Sequence, residues 1–517
     1  MTTSPRDTDP PNRSETPVTT GDEALAGLVS RLGSDTLRYL PAVIVPAAAS
    51  VLGVAVFTRI FPPGPYGEYS LVYAVVTTAI VILSGWLQQS LLRYLPRYRA
   101  EGKLEEFLVR FSSILWAFCG LVLAAALLAA WPLKPFLGAY SRYYVLGAVW
   151  AVAGAAYTVQ THAFRANLQS AAFSRYQVAY ALGRLVVALA LVYLVSRDIM
   201  SLVIGSTAAY VLLLWPMCLE LGIPRGIKSF GFSIDRALLR RLFSYGLPVM
   251  GWGLGVKVLD LSDRFIIQLF RGPEEVGIYS ANYTLVAMGI LLVATPLLSA
   301  AVPLIVHAWE SGHQERIQQV ISSFSRYYLL TSVPVVMYTI VFSWEIVSVF
   351  LGKPFREGHT IIPYILLGSF LWSFAMYGHK GIKLLEKTRV MFVLVTICCI
   401  VNIVLNLIIV PRYGYQGAAF TTFVSYALYP IMLYGVSRRY IAWVIPWRSV
   451  VNITLAGLGG ALAGWGVKFA LTGKAHVIFI LGVGLVAGCV AYMGVLVAVR
   501  ELREHEMRLI GLKGRAR

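Results

Sequence analysis

Acidic residues are scarce in this chain: 25 Asp and Glu stand against 44 Lys and Arg in 517 residues, and charged side chains of both signs make up 13%. Ordinary soluble domains carry roughly twice that charged fraction, so a conventional water-facing surface is excluded for most of the length. Cysteine is nearly absent. Cys119, Cys218, Cys398, Cys399 and Cys489 all sit in apolar runs, with neither disulfide nor metal spacing, and there they serve as small hydrophobes. No GxxxxGK[ST] loop occurs and no polar segment is long enough for a nucleotide-binding domain, which excludes ATP hydrolysis within this chain. Long polar connectors are missing too; the longest, about 222–241, reads as a linker.

What fills the chain is apolar: hydrophobic residues are 58% and the mean hydropathy is +0.70. A helix needs roughly 20 such residues to cross about 30 Å of hydrocarbon. The hydropathy pattern predicts about fourteen spans, at 36–60, 69–95, 107–131, 143–164, 171–195, 199–221, 242–270, 276–306, 321–350, 359–385, 390–410, 417–436, 450–471 and 476–499. The expected fold class is therefore an all-α integral membrane protein.

An internal repeat organises these spans. Tyr66-Gly67-Glu68-Tyr69-Ser70 returns as Val276-Gly277-Ile278-Tyr279-Ser280, 210 positions later, each between two apolar runs. Leu40-Pro41 likewise returns as Leu247-Pro248, 207 positions on. A period this long exceeds any solenoid unit and predicts two homologous bundles. The expectation is two pseudo-symmetric six-helix lobes plus two C-terminal helices. The divisions fall at 1–34 (a polar tail), 35–222 (N-lobe), 223–241 (linker), 242–438 (C-lobe) and 439–517 (spans thirteen and fourteen with a tail).

Basic residues concentrate in the connectors after even-numbered spans, among them Arg97, Arg99 and Lys103; Arg225, Lys228, Arg236, Arg240 and Arg241; and Arg438, Arg439 and Arg448. Retention of Lys and Arg inside places both termini and the linker in the cytoplasm, with the cell inner (plasma) membrane as the location. The net charge of +19 then reflects topology and anionic-lipid contact rather than nucleic-acid binding. The tail is rich in Thr, Pro, Ser and Asp and reads as disordered, with 23–32 able to form a short amphipathic helix.

Ionisable residues at membrane depth cost several kcal/mol and normally face a cavity or a partner. In span seven, Gly253, Lys257, Asp260 and Arg264 are spaced by four, three and four, which puts them on one helical face, with Asp263 at its flank and Trp252 turned away. That face either lines a hydrated cavity or forms an internal salt-bridge chain from Lys257 through Asp260 to Arg264. In the first lobe, Arg184 lies too deep to snorkel, while Arg38, Arg93 and Arg165 read as boundary anchors, as do His379, Lys380 and Lys383. The candidate cavity cations are Arg184, Lys257 and Arg264. Asp260, Asp263 and Glu345 are the candidates for coupling to a proton or cation, Glu345 lying near the outer rim of span nine. No catalytic set, cofactor or metal cluster is expected.

The two pentads, Asp263-Arg264 ahead of the second, and Pro411-Arg412-Tyr413-Gly414-Tyr415-Gln416-Gly417-Ala418-Ala419 before span twelve resemble the polysaccharide transporter family of oligosaccharide flippases, over about residues 36 to 500. That family stands with the multidrug and toxin extrusion proteins and the lipid II flippases. The resemblance implies a non-enzymatic flippase of alternating access. Its usual cargo is a polyprenyl-pyrophosphate-linked oligosaccharide moved from the inner to the outer leaflet for surface polysaccharides such as O-antigen or exopolysaccharide. A polysaccharide polymerase and glycosyltransferases are the implied partners. One departure stands out: the first lobe has only Arg59 where the second has Asp263-Arg264. A drug or metabolite antiporter driven by a cation remains as an alternative on the same scaffold, and a lipid II flippase as another. A membrane glycan polymerase or ligase, from a different class, is disfavoured by the short outer loops.

Overall fold

The computed structural model describes residues 40–312, 314–502 and 506. The tail, including 23–32, and Arg38 lie outside them. All regular structure among the described residues is helical. The N-lobe holds α1 (Pro41–Ile60), α2 (Pro63–Ala100), α3 (Leu104–Leu137), α4 (Ser141–Ala166), α5 (Ser170–Leu194) and α6 (Met200–Glu220). A short helix, Ile223–Phe230, precedes the C-lobe: α7 (Arg236–Arg271), α8 (Pro273–Glu310), α9 (Gln314–Val341), α10 (Ile362–Leu384), and the two halves of Thr388–Ser437, α11 (388–413) and α12 (415–437). Finally come α13 (Trp447–Leu471) and α14 (Val477–Ala498). These are fourteen long helices among the described residues, as the hydropathy pattern predicts, and the chain is a multi-span membrane protein.

The pentads occupy the first turns of α2 and α8, whose helices open with Pro63 and Pro273. Proline suits that position because its missing N–H would have no intrahelical acceptor there. Span nine is not continuous, since a short helix, Ser343–Phe350, bends 79° away from α9. The break is at Phe342, whose ring is buried and packs where side chains on Gly464 and Gly484 would stand, pinning the bend against α13 and α14. Asp235 caps α7 by accepting from the amides of Ala237 and Leu238, a cap worth about 1 kcal/mol.

The break between α11 and α12 falls inside the Pro411–Ala419 motif. Gly414 has φ 56° and ψ −142°, and the amide of Tyr415 donates to Glu275 Oε2 at 3.0 Å. A side chain at 414 would overlap that carboxylate, so glycine is required both by backbone angle and by space.

The lobes meet about an approximate two-fold relation that explains the repeat. A Cβ on Gly67 would overlap the carbonyl oxygen of Pro273, and a Cβ on Gly277 would overlap that of Pro63. Between them Ser70 Oγ donates to Ser280 Oγ at 2.6 Å. The matched Gly and Ser of the pentads are thus the residues that let the two lobes touch. Beside them, Arg59 at the end of α1 donates to the carbonyls of Val349 (2.5 Å) and Phe350 (2.8 Å), and the Gly352 amide donates to Thr58 Oγ1 at 3.1 Å. One apolar core at this end draws on both lobes, joining Tyr66, Leu71 and Val203 to Ile267, Val276 and Tyr279. Toward the basic connectors the C-lobe has a core of its own, and α7 also packs on the N-lobe: Leu238 and Leu242 join the N-lobe core with Leu239 and Met250 against it, a Cβ on Gly246 would overlap the carbonyl oxygen of Trp86, and Ser90 Oγ donates to the Leu242 carbonyl at 2.6 Å. The molecule is sealed at the pentad end, and α2 stays packed on α7 toward the basic connectors.

Candidate functional site

Just below that seal a cavity of about 210 Å³ opens between the lobes. It is lined by α1, α2, α5 and α6 on one side and by α7 and α8 on the other. Three of the candidate cations, Arg184, Lys257 and Arg264, face it together with Asp260. The helical spacing on α7 accounts for three of these. Residues 250–258 of α7 are all partly exposed, Pro248 lies in the helix just before them, and a side chain on Gly253 would meet nothing within 4 Å.

The salt-bridge chain drawn from the sequence is broken halfway. Lys257 Nζ lies 3.4 Å from Asp260 Oδ2, but Arg264 donates to the backbone carbonyl of Asp260 at 2.8 Å instead of to its carboxylate. The Nε of Arg264 goes to Ser280 Oγ at 3.1 Å, which ties the guanidinium to the hydroxyl pair at the lobe seam. Asp260 is held by the Tyr283 hydroxyl at 2.6 Å, itself 3.1 Å from that of Tyr426. Across the cavity Arg184 reaches Ser50 Oγ at 3.5 Å and sits over the ring of Tyr180 at 5.9 Å, and no carboxylate among the described residues is in ion-pair range. Three cations against one carboxylate give the lining a formal charge of +2.

Tyrosines surround this charge. Tyr66, Tyr69, Tyr73 and Tyr283 line the cavity, and Tyr180 stacks on Tyr210 at 4.0 Å behind Arg184. Sequence reasoning missed them. The signal was present as four-residue spacings, Tyr69 with Tyr73 and Tyr279 with Tyr283, that place each pair on one face.

Asp263 is elsewhere: fully buried, behind Arg264 and outside the cavity lining. Its carboxylate accepts from the Tyr279 hydroxyl (2.6 Å), from Asn406 Nδ2 (2.7 Å) and from Thr422 Oγ1. Asn406 also donates to Asn402 Oδ1 (3.0 Å) and accepts from Thr421, while Ser262 donates to Asn402 at 3.0 Å. Asp263 thus binds α7 to α8, α11 and α12 within the C-lobe, through side chains on α11 and α12 that the sequence reading did not single out. Three donors on one carboxylate suit its ionised form. Glu345 joins neither group; it pairs with Lys468 of α13 at 2.9 Å beside the bend after α9. The inner candidates also have local duties: His379 Nδ1 lies 2.8 Å from the Tyr429 hydroxyl, and its ring sits tilted against that of Trp252 with centroids 4.9 Å apart. No group of three or more metal-ligating side chains exists among the described residues.

Comparison with known proteins agrees with this layout. The family model described as "Polysaccharide biosynthesis protein" matches residues 32–309, and the MatE model matches residues 248–408. An uncharacterized membrane protein of Methanocaldococcus jannaschii is 23% identical over 37% of this chain and 38% of its own length. A probable low-salt glycan biosynthesis flippase of Haloferax volcanii is 25% identical over 42% of this chain and 47% of its own. The matches thus span less than half of these curated relatives. Among solved structures, the lipid II flippase MurJ in an inward closed conformation superposes with a TM-score of 0.74, covering 89% of this chain and 98% of that one at 14% identity. An inward-facing multidrug resistance MATE family transporter follows with a TM-score of 0.63, covering 78% and 94% at 12% identity. At such identities the likeness is one of fold.

Proposed function

The chain belongs to the polysaccharide biosynthesis protein family, and from that premise we propose that it is a flippase carrying a polyprenyl-pyrophosphate-linked oligosaccharide from the inner to the outer leaflet by alternating access. The observation that carries this reading is the interlobe cavity with its formal charge of +2. A glycan loses its hydrogen bonds to water in hydrocarbon, so it needs a polar enclosure, whereas a polyprenyl tail is at home in lipid. Arg184, Lys257 and Arg264 supply the enclosure with cations suited to a diphosphate, and Arg in particular can grip phosphate oxygens with two parallel donors. The surrounding tyrosine hydroxyls and ring faces suit sugars.

In this reading the pentad end faces outward and both termini face the cytoplasm of the cell inner membrane. The sealed pentad end then corresponds to a conformation awaiting cargo from inside. Opening it requires the Ser70–Ser280 and Arg59 bonds to part. Asp263 is the coupling candidate with the most complete cage, Asp260 the one that meets cargo, and Glu345 the one farthest removed from both. The products suit a polysaccharide polymerase, and the cargo comes from glycosyltransferases.

The test is deletion followed by analysis of lipid-linked intermediates by leaflet. Accumulation on the inner leaflet, relieved by the wild-type gene and not by a folded Arg184→Gln/Lys257→Gln variant, supports the reading. Relief by that variant overturns it. The MatE match over residues 248–408 favours a second reading, a cation-driven drug antiporter. A cavity of formal charge +2 repels cationic drugs, so drug resistance conferred on a sensitive host would decide for the antiporter.

A further inference from the structure

The two lobe seams at the pentad end differ. On one side α1 is bolted to the C-lobe by Arg59 and Gly352. On the other, where α7 meets α2 and α4, a cavity of about 430 Å³ is left, lined by Val72, Val76, Ala148 and Ala151 of the N-lobe and by Phe265 and Gln268 of the C-lobe. It lies on the face of α2 adjacent to that of Tyr69 and Tyr73 and shares no lining residue with the charged cavity. Its outer wall is the end of α3, where Trp131 and Phe136 are each 86% exposed, so the space opens to the bilayer.

Two polar features mark this space. The amide oxygen Oε1 of Gln268 is buried and has no hydrogen-bond partner. It sits one turn from the end of α7, near the level where hydrocarbon gives way to headgroups. At the same level Arg142, in the first turn of α4 beside Tyr143 of the lining, is half-exposed and turns one guanidinium nitrogen to Glu68 (2.8 Å) and Tyr143. A guanidinium has five donors, so capacity remains for an anion.

An apolar space of this size does not hold water, and empty it would forfeit dispersion contacts along both lobes. Facing lipid, it takes a lipid chain. We propose that this seam is a binding site for one glycerophospholipid with a hydroxylated headgroup. One chain lies along Val76 and Ala151, the phosphate rests against Arg142, and a headgroup hydroxyl donates to Gln268. The lipid joins Phe265 and Gln268 of one lobe to α2 and α4 of the other. This assignment is independent of what the central cavity carries.

The experiment uses the full chain in detergent, with dioleoylphosphatidylglycerol and dioleoylphosphatidylcholine as probes. These share chains and phosphate, and only the glycerol headgroup can donate a hydroxyl. Native mass spectrometry of the wild type should retain one phosphatidylglycerol, and added phosphatidylglycerol should raise the melting temperature more than phosphatidylcholine does. Gln268→Leu should make the two lipids equivalent. Ala148→Phe, which fills the space, should abolish retention while keeping the lipid-free melting temperature at or above that of the wild type, separating loss of the site from misfolding. Equal response of the wild type to both lipids, undiminished retention by Ala148→Phe, or a phosphatidylglycerol preference that survives Gln268→Leu would each overturn the assignment.

Discussion

Replacing Gly67 with Ala tests whether the repeated pentads are the seal of the pentad end. The new Cβ would overlap the carbonyl oxygen of Pro273 and stand 2.8 Å from its carbon. Carbon atoms settle at about 3.5–4.0 Å, so that contact alone asks α2 and α8 to part by about 0.7 Å, and the oxygen asks for more. The Ser70–Ser280 bond, now 2.6 Å, would stretch beyond the roughly 3.0 Å limit of an ordinary hydroxyl pair. Overpacking of this kind costs about 1–3 kcal/mol. Because it acts on the sealed state alone, it should shift the equilibrium toward opening by about 5–150-fold. The assay is labelling of Thr284→Cys, which lines the cavity, by an impermeant maleimide from the pentad side, in a background without native cysteines. Gly67→Ala and Gly277→Ala should each raise the rate by such a factor while the protein stays monodisperse. A rate equal to the parent's in both variants would refute the seal.

Arg59→Ala removes two donors to helix-end carbonyls, each worth about 1.5–3 kcal/mol for a charged donor, and should accelerate the same labelling; an unchanged rate would show that the latch is ornamental. Arg184→Gln with Lys257→Gln takes the cavity from a formal +2 to 0; at about 1.5–3 kcal/mol per lost charged contact, affinity for a diphosphate lipid measured in nanodiscs should fall by at least 100-fold. Asp263→Asn offers an amide N–H₂ to a cage built of donors, and should lower stability by about 1–3 kcal/mol in thermal unfolding, together with any cation dependence of transport. Gly414→Ala should cost about 1–3 kcal/mol from its positive φ, and Glu275→Ala in the same chain should recover only the part due to the clash.

The fold was largely legible because membrane helices announce themselves by length and hydropathy, and because spacing along one helix is local information. Lys257, Asp260 and Arg264 could be placed on one face from their positions alone, and Arg184 found by depth. What lay beyond reach depended on partners far away in sequence. Nothing near Asp263 reveals that Asn406 and Thr422, some 140 and 160 positions on, supply its hydrogen bonds. Nor does local spacing reveal that Arg264 takes a backbone carbonyl and a serine in place of the carboxylate one turn back. The bend at Phe342 escaped notice for the same reason, since it answers to Gly464 and Gly484 of helices not yet made.

The approximate two-fold relation serves contact, and its violations serve chemistry. Gly67 with Pro273, Gly277 with Pro63, and Ser70 with Ser280 are exchanges between equals, as a seam that must open and reclose on both lobes requires. The charges obey no such exchange: α7 carries Lys257, Asp260, Asp263 and Arg264, while α1, in the corresponding place, ends in Arg59, which is spent on the latch. The N-lobe instead offers Arg184 from α5, on the far wall of the cavity. An anion held between Arg184 and Lys257 would therefore bridge the two bodies between the pentad seam above it and the Ser90–Leu242 contact below it. Its binding energy acts on their separation, which is the differential contact that a cargo-driven change of state requires.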